Sequence, residues 1–350
     1  MEDSVRKISS TSSVSPRSFV AMLIWMTLSV QGVLFSACSE NEALSTPDKV
    51  YVNVLFTPES FCEFGYNDIT LKAIETYSQM YGYEYSFCVP ESIEDGMEYY
   101  RTWYEAQLSE EVDRALFVFA SSIYDAPLAK APHPKADPRK DILIFELPKE
   151  LPYAYTFDIS YYGASYLIGS YYLKYLPVNF QIIAANPYLE GLSDVLDGFT
   201  AATEDMKSGF VNSTYLSESP EGGLDNDDGA FVACKNIYNL NKDKTNLFIP
   251  FAGLSNLGVY RFSQSNHQIA VGMDCVDPNS FSYTYLCMNK KIDLALNDFL
   301  LLWTKGDEIP KHTHYTLETG RVVVDRTSML DADSAVLDRL QEQAIAKEKE

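Results

Sequence analysis

The chain has 350 residues, with 49 acidic and 27 basic side chains and a net charge of −22 at neutral pH. That balance repels a phosphate backbone and argues against nucleic acid as a partner; solubility of an exported protein is enough to account for it. The sequence holds no G-x-S-x-G, H-E-x-x-H or G-x-x-x-x-G-K-[ST], so it carries no catalytic signature of those kinds.

The first forty residues concern export. Arg6, Lys7 and Arg17 precede an almost wholly apolar run, Phe19 to Ala37, which ends in Leu34-Phe35-Ser36-Ala37-Cys38. A basic start, an apolar stretch and small residues before a cleavage point make a signal peptide, here residues 1–37. The cysteine directly after Ser-Ala resembles a bacterial lipobox, which implies a lipid on Cys38 as the mature N-terminus. The competing reading is an uncleaved anchor, because the run is about long enough to span a bilayer. Either way the rest of the chain is tethered to a membrane outside the cytoplasm, on its periplasmic face or at the cell surface. Residues 38–48 read as a polar tether. Within it, Ser39-Glu40-Asn41-Glu42 resembles the signals that send lipoproteins of the Bacteroidetes to the surface. The mature chain keeps 24 basic and 47 acidic side chains, a net of −23.

From Lys49 the pattern is strand, loop, helix. Short β-branched and aromatic runs predict strands at Val50–Phe56, Tyr85–Val89, Ala115–Ala120 and Ile142–Leu147. Helices are predicted between them at Asn67–Tyr81 and Gly96–Leu108. The pattern restarts with helix Gly163–Tyr175, strand Phe180–Ala185, helix Gly191–Met206, strand Phe210–Tyr215 and helix Asp227–Tyr238. Strand Leu247–Phe251, helix Leu254–Ser265, strand Gln268–Met273, helix Asp293–Trp303 and a strand-like Arg321–Asp325 follow. Ser334 to Glu350 reads as a charged helix packed by Leu337 and Leu340, or as a frayed tail. Such alternation predicts parallel strands joined by right-handed crossovers, with helices on both faces. Two successive units predict two lobes, residues 49–160 and 161–290. Residues 291–350 supply return segments between the lobes and the charged tail.

Asp225-Asn226-Asp227-Asp228 lacks the Gly and Glu of a calcium loop and reads as a helix N-cap cluster. His312 and His314 read as exposed turn residues. No cysteine spacing suggests zinc; of the five cysteines after Cys38, Cys62 with Cys88 and Cys275 with Cys287 are possible pairs, and the odd count leaves at least one thiol free. No metal or cofactor is expected. More telling are segments at strand ends, where open α/β sheets bind ligands: Phe64-Gly65-Tyr66-Asn67-Asp68, Ala252-Gly253-Leu254-Ser255-Asn256, and Gly272-Met273-Asp274, with Lys290-Lys291 beyond. Together with Tyr166-Leu167-Ile168-Gly169 and Asp197-Gly198-Phe199, in this order, they resemble the basic-membrane-protein family of purine-nucleoside-binding lipoproteins. The likeness departs at Tyr66, where phenylalanine is usual, at Cys287, in the glycine-poor Ala252–Asn256 loop, and at Lys72-Ala73.

That resemblance implies a two-lobed α/β protein of the type I periplasmic-binding fold, each lobe a parallel sheet flanked by helices, with the ligand cleft between. It further implies that Tyr66 stacks on a base, that Asp274 and Lys290 hold ribose hydroxyls, and that Gly253 lets the backbone approach the sugar. Asn67 and Asp125 complete the candidate set, Asp125 as a reader of the base edge. The expected function is reversible capture of a nucleoside or similar small polar ligand for an import system, with an ABC permease and ATPase as partners, and no catalysis. An extracytoplasmic sensor or surface-interaction protein on the same fold is the alternative; a carboxylate-dependent surface hydrolase using Asp125 and Asp274 is the third reading.

Overall fold

The computed structural model describes residues 49–58, 66–132, 137–274, 278–327 and 334–350. Cys38, Cys62 and Cys275 lie outside them, and with them the expected lipid site and both expected cysteine pairs.

The first run of elements is β1 (Val50–Leu55), α1 (Tyr66–Tyr81), β2 (Glu84–Cys88), α2 (Ile93–Glu105), β3 (Arg114–Phe119), a short α3 (Asp125–Leu128), β4 (Lys140–Phe145) and β5 (Tyr155–Ile159). The second is α4 (Tyr162–Tyr175), β6 (Val178–Ala184), α5 (Leu192–Met206), β7 (Val211–Tyr215), α6 (Asp227–Leu240), β8 (Thr245–Phe251), α7 (Asn256–Asn266), β9 (Ile269–Met273) and β10 (Thr284–Lys290). Then come α8 (Ile292–Lys305), β11 (His312–Tyr315), β12 (Val322–Arg326) and α9 (Ser334–Lys347). Among the described residues these strands form two six-stranded sheets, ordered β11-β5-β4-β3-β1-β2 and β12-β10-β9-β8-β6-β7. All their pairings are parallel except β10 with β12. The two orders correspond strand for strand.

Local chemistry explains the elements. β3 is apolar and buried almost throughout, and β6 is buried along its whole length, Asn179 and Gln181 included, because helices cover both faces of a parallel sheet. α2 starts at Ser92, whose hydroxyl accepts from the Asp95 amide at 3.1 Å, with Glu94 and Asp95 in the first turn. Asn226 caps α6 by accepting from the Gly229 amide, so the Asp-Asn cluster is a cap as read from the sequence. β5, β10 and β11 had no predicted counterparts. They carry polar residues, Asp158, Asn289, His312 and His314, that break the apolar pattern, and β11 has only four residues.

Those strands lead the chain from one sheet to the other. It crosses from β5 to α4, returns from β10 to α8, and crosses again from β11 to β12. α8 packs on α1, so it belongs with the first sheet. Its fully buried Trp303 donates to Asp141 at 2.9 Å and stacks under Arg114, whose guanidinium lies 4.9 Å from the ring. α9 packs on α4, and just past its end Glu348 accepts from the amides of Gly163 and Leu317 at 3.1 and 3.2 Å. One carboxylate therefore ties the first and third crossings together.

α4 is buried nearly all round, which requires close neighbours. A Cβ at Gly198 of α5 would stand 2.4 Å from the Tyr162 carbonyl oxygen, and one at Gly169 of α4 would stand 2.7 Å from the Ala202 methyl. Gly198→Ala should therefore destabilise the protein by about 1–3 kcal/mol through overpacking, reversing the sign expected for an exposed helical glycine. Urea unfolding followed by circular dichroism measures this; an unchanged or raised midpoint would show that the helices have room.

Candidate ligand-binding cleft

β4 and β9 hold the same place in their sheets, and each ends on an acidic residue. Glu146 follows β4 with φ 56°, and Asp274 follows β9 with φ 47°. Side chains other than glycine in this left-handed region cost about 1–3 kcal/mol each, and such strain persists where surrounding contacts over-determine it. Here they do. Lys290, the last residue of β10, donates from Nζ to Glu146 Oε2 at 2.7 Å and from its backbone amide to Asp274 Oδ1 at 2.9 Å. The Tyr161 hydroxyl donates to Asp274 Oδ2, and the Tyr66 hydroxyl reaches Glu146 Oε1 at 3.4 Å. Lys290 Nζ also sits 4.2 Å from the centre of the Tyr161 ring.

The cluster is dry. The Lys290 and Glu146 side chains are 7% and 16% exposed. Burial pushes the Glu146 carboxyl above its ordinary range, against the pull of the Lys290 ammonium. It does the same to Asp274, opposed by the hydrogen bonds from the Lys290 amide and Tyr161. Burial, reinforced by those two carboxylates, holds both tyrosine hydroxyls well above the usual phenol value. The cluster thus offers acceptors, one cation and two aromatic rings, which is the chemistry of recognition.

Beside it lies a pocket of about 280 Å³ lined by Glu146, Asp158, Glu190, Asp194, His312 and His314. His312 and His314 alternate along β11 and so share a face. His314 Nδ1 lies 2.8 Å from Asp158 Oδ2, and His312 Nε2 lies 3.3 Å from Asp158 Oδ1. This corrects the reading of them as turn residues: they are strand residues paired to a buried acid.

Of the six expected ligand residues, the fold brings Tyr66, Asp274 and Lys290 into one cluster. Asn67 is buried and donates to Thr57 at 3.2 Å, pinning the start of α1 to the end of β1. Asp125 pairs with Lys149 at 2.5 Å. Gly253, at φ 58°, abuts Leu224. Sequence reasoning passed over Glu146 and Tyr161. Glu146 had a signal: a lone acid inside the apolar run Ile142-Leu143-Ile144-Phe145-Glu146-Leu147. Tyr161 had none, because β5 was not recognised. Among the described residues no group of three or more His, Cys, Asp or Glu is placed to hold a metal ion, and no helix is long and apolar enough to cross a membrane.

No family model matches the chain, and no curated protein matches it in sequence. Solved structures do resemble it. A solute-binding protein of an ABC transporter system from Aeropyrum pernix K1 aligns over 86% of each chain with a TM-score of 0.64 at 14% identity. A glucose-galactose binding protein from Geobacillus stearothermophilus aligns over 81% of this chain and all of its own, with a TM-score of 0.58 at 14% identity. The fold is that of the type I periplasmic-binding proteins. A transcriptional activator of the comK gene from Bacillus halodurans shares it too, over 85% of this chain and 96% of its own, with a TM-score of 0.61 at 13% identity. The type I fold therefore places a cleft without choosing what the cleft serves.

The His314–Asp158 contact gives this cleft a pH dependence. The hydrogen bond to Asp158 raises the His314 pKa above its ordinary value, with Asp194 and Glu348 adding to it. Stability from this contact is therefore complete below the unfolded value of about 6.5 and is lost as pH rises through the folded value. The His314 side chain is half exposed, so the contribution is small. His314→Gln should cost about 0.5–1 kcal/mol near pH 5.5 and almost nothing near pH 8.5. Denaturant titrations at the two pH values test this, and an equal cost at both would contradict it.

Proposed function

We propose that the protein is an extracytoplasmic solute-binding protein that captures a small hydroxyl-rich ligand, a nucleoside or a molecule of similar size, for an import system. The carrying observation is the pair of left-handed carboxylates, Glu146 and Asp274, at equivalent strand ends of the two sheets, with Tyr66 and Lys290 between them. Convergent polar groups beside a pocket, at the strand ends of two facing α/β units, are the arrangement such folds use for ligands. Solute binding is also what the Aeropyrum and Geobacillus proteins are described as doing. The nucleoside reading rests on the motif resemblance and on Tyr66, whose ring lies in the same cluster as Asp274. The closure that capture requires would turn on the three crossings.

Calorimetry against nucleosides, free bases and simple sugars tests the reading. Tyr66→Ala should weaken nucleoside binding by about 1–3 kcal/mol, the worth of a stacked base. Asp274→Ala should cost more than Asp274→Asn, which keeps an acceptor but loses the charge. Ligand binding should also shrink the radius of gyration in small-angle scattering. Wild-type affinity in Asp274→Ala would remove Asp274 from the site, and no binding by any member of the panel would remove the function.

We also propose that Cys38 is lipidated and holds the protein at a membrane, with the import system's permease and ATPase as partners. Cys38→Ala should abolish incorporation of a fatty-acid analogue in cells. Label retained in that variant would show that the lipid is elsewhere.

A further inference from the structure

Charge is unevenly answered around the pocket next to Glu146. Four carboxylates line it. Glu146 is neutralised by Lys290, and Asp158 faces two histidines. Among the described residues neither Glu190 nor Asp194 enters an ion pair, and Asp194 accepts from the neutral Ser160 hydroxyl at 2.7 Å. Asp158 is more than nine-tenths buried, and its Oδ1 atom accepts no hydrogen bond, although His312 Nε2 lies 3.3 Å from it. Glu190, at the mouth, has its carboxyl pushed up by partial burial and then by the like charges of Asp125, Asp158 and Asp194. Lys149, whose charge pulls the other way on Glu190, is already held by Asp125.

We propose that this pocket is an ammonium subsite, so that the cleft takes a hydroxylated ligand carrying a protonated amine, of which an amino sugar is the simplest. The inference rests on the solute-binding reading and narrows its ligand class. A neutral ligand would seal surplus negative charge into a drying pocket, which is costly. A carboxylated or phosphorylated ligand would be repelled outright. A ligand ammonium answers the charge and supplies donors where the pocket has mostly acceptors. The neighbouring cluster shows the same solution built from the chain itself, with the Lys290 ammonium between the Glu146 carboxylate and the Tyr161 ring. The pocket, at about 280 Å³, is of a size for an organic group rather than a bare ion.

The test compares D-glucosamine with D-glucose by calorimetry at neutral pH and low salt, two ligands that differ by an ammonium in place of a hydroxyl. Glucosamine should bind about tenfold tighter or more, as expected for a charge-assisted hydrogen bond, and added salt should narrow the gap. In the near-isosteric double variant Glu190→Gln, Asp194→Asn the preference should fall to about threefold or less. As an independent readout, saturating glucosamine should lower the His314 titration midpoint in NMR spectra, while glucose should not. Equal affinities for the two sugars, or an unmoved midpoint, would overturn the ammonium subsite and leave solute binding standing. Binding of neither sugar overturns the subsite as well. If nucleosides then also fail to bind, the solute-binding reading falls with it.

Discussion

A buried ammonium and a buried carboxylate, 2.7 Å apart and drawn from different sheets, set the geometry on which the cleft depends. Removing either ion from water costs several kcal/mol, and leaving one unpaired costs more than the pair returns. Lys290 must therefore end β10 where Glu146 ends β4. Glu146 meets it only by turning into the left-handed region, and Asp274 makes the same turn one strand away on the other sheet. The two tyrosine hydroxyls then have one place each to donate. A well-packed hydrophobic substitute for such a pair is often equally stable.

Lys290 is also the last residue before the chain returns to the first sheet. The cleft floor is thus made from the same residues as the crossings: Tyr161 at the first, Lys290 at the second, and β11 with its histidines leading into the third. Glu348 links the first and third through two backbone amides. The charged cluster and the crossing segments therefore share the same few positions.

The correspondence of the two sheet orders explains why strand-end reasoning found some members of the Glu146–Lys290 cluster and missed the rest. Tyr66, Asp274 and Lys290 sit at the ends of elements whose apolar runs are clean, so their places were legible. Asn67, Asp125 and Gly253 stand at equally legible positions, yet they satisfy a neighbouring threonine, a lysine and a leucine. Position at a strand end selects candidates; only the third dimension says which of them turn inward. Glu146 was hidden because it looked like one more residue of a strand. The histidines were hidden because a four-residue strand with two of them has no apolar periodicity to announce it.

Determined by the sequence alone were the α/β class with two lobes, most of the strands and helices, the cap at Asn226, and a strongly acidic net charge. Each of these follows from properties local in the chain: β-branched runs, apolar periodicity, capping side chains and charge. The tertiary structure alone decided that Glu146 and Lys290, 144 residues apart, are partners, that Glu146 and Asp274 adopt left-handed backbone, and that a histidine pair faces Asp158. Desolvation is the reason. A charged side chain in an extended chain is satisfied by water wherever it lies, and the need for a particular partner arises only when folding takes the water away.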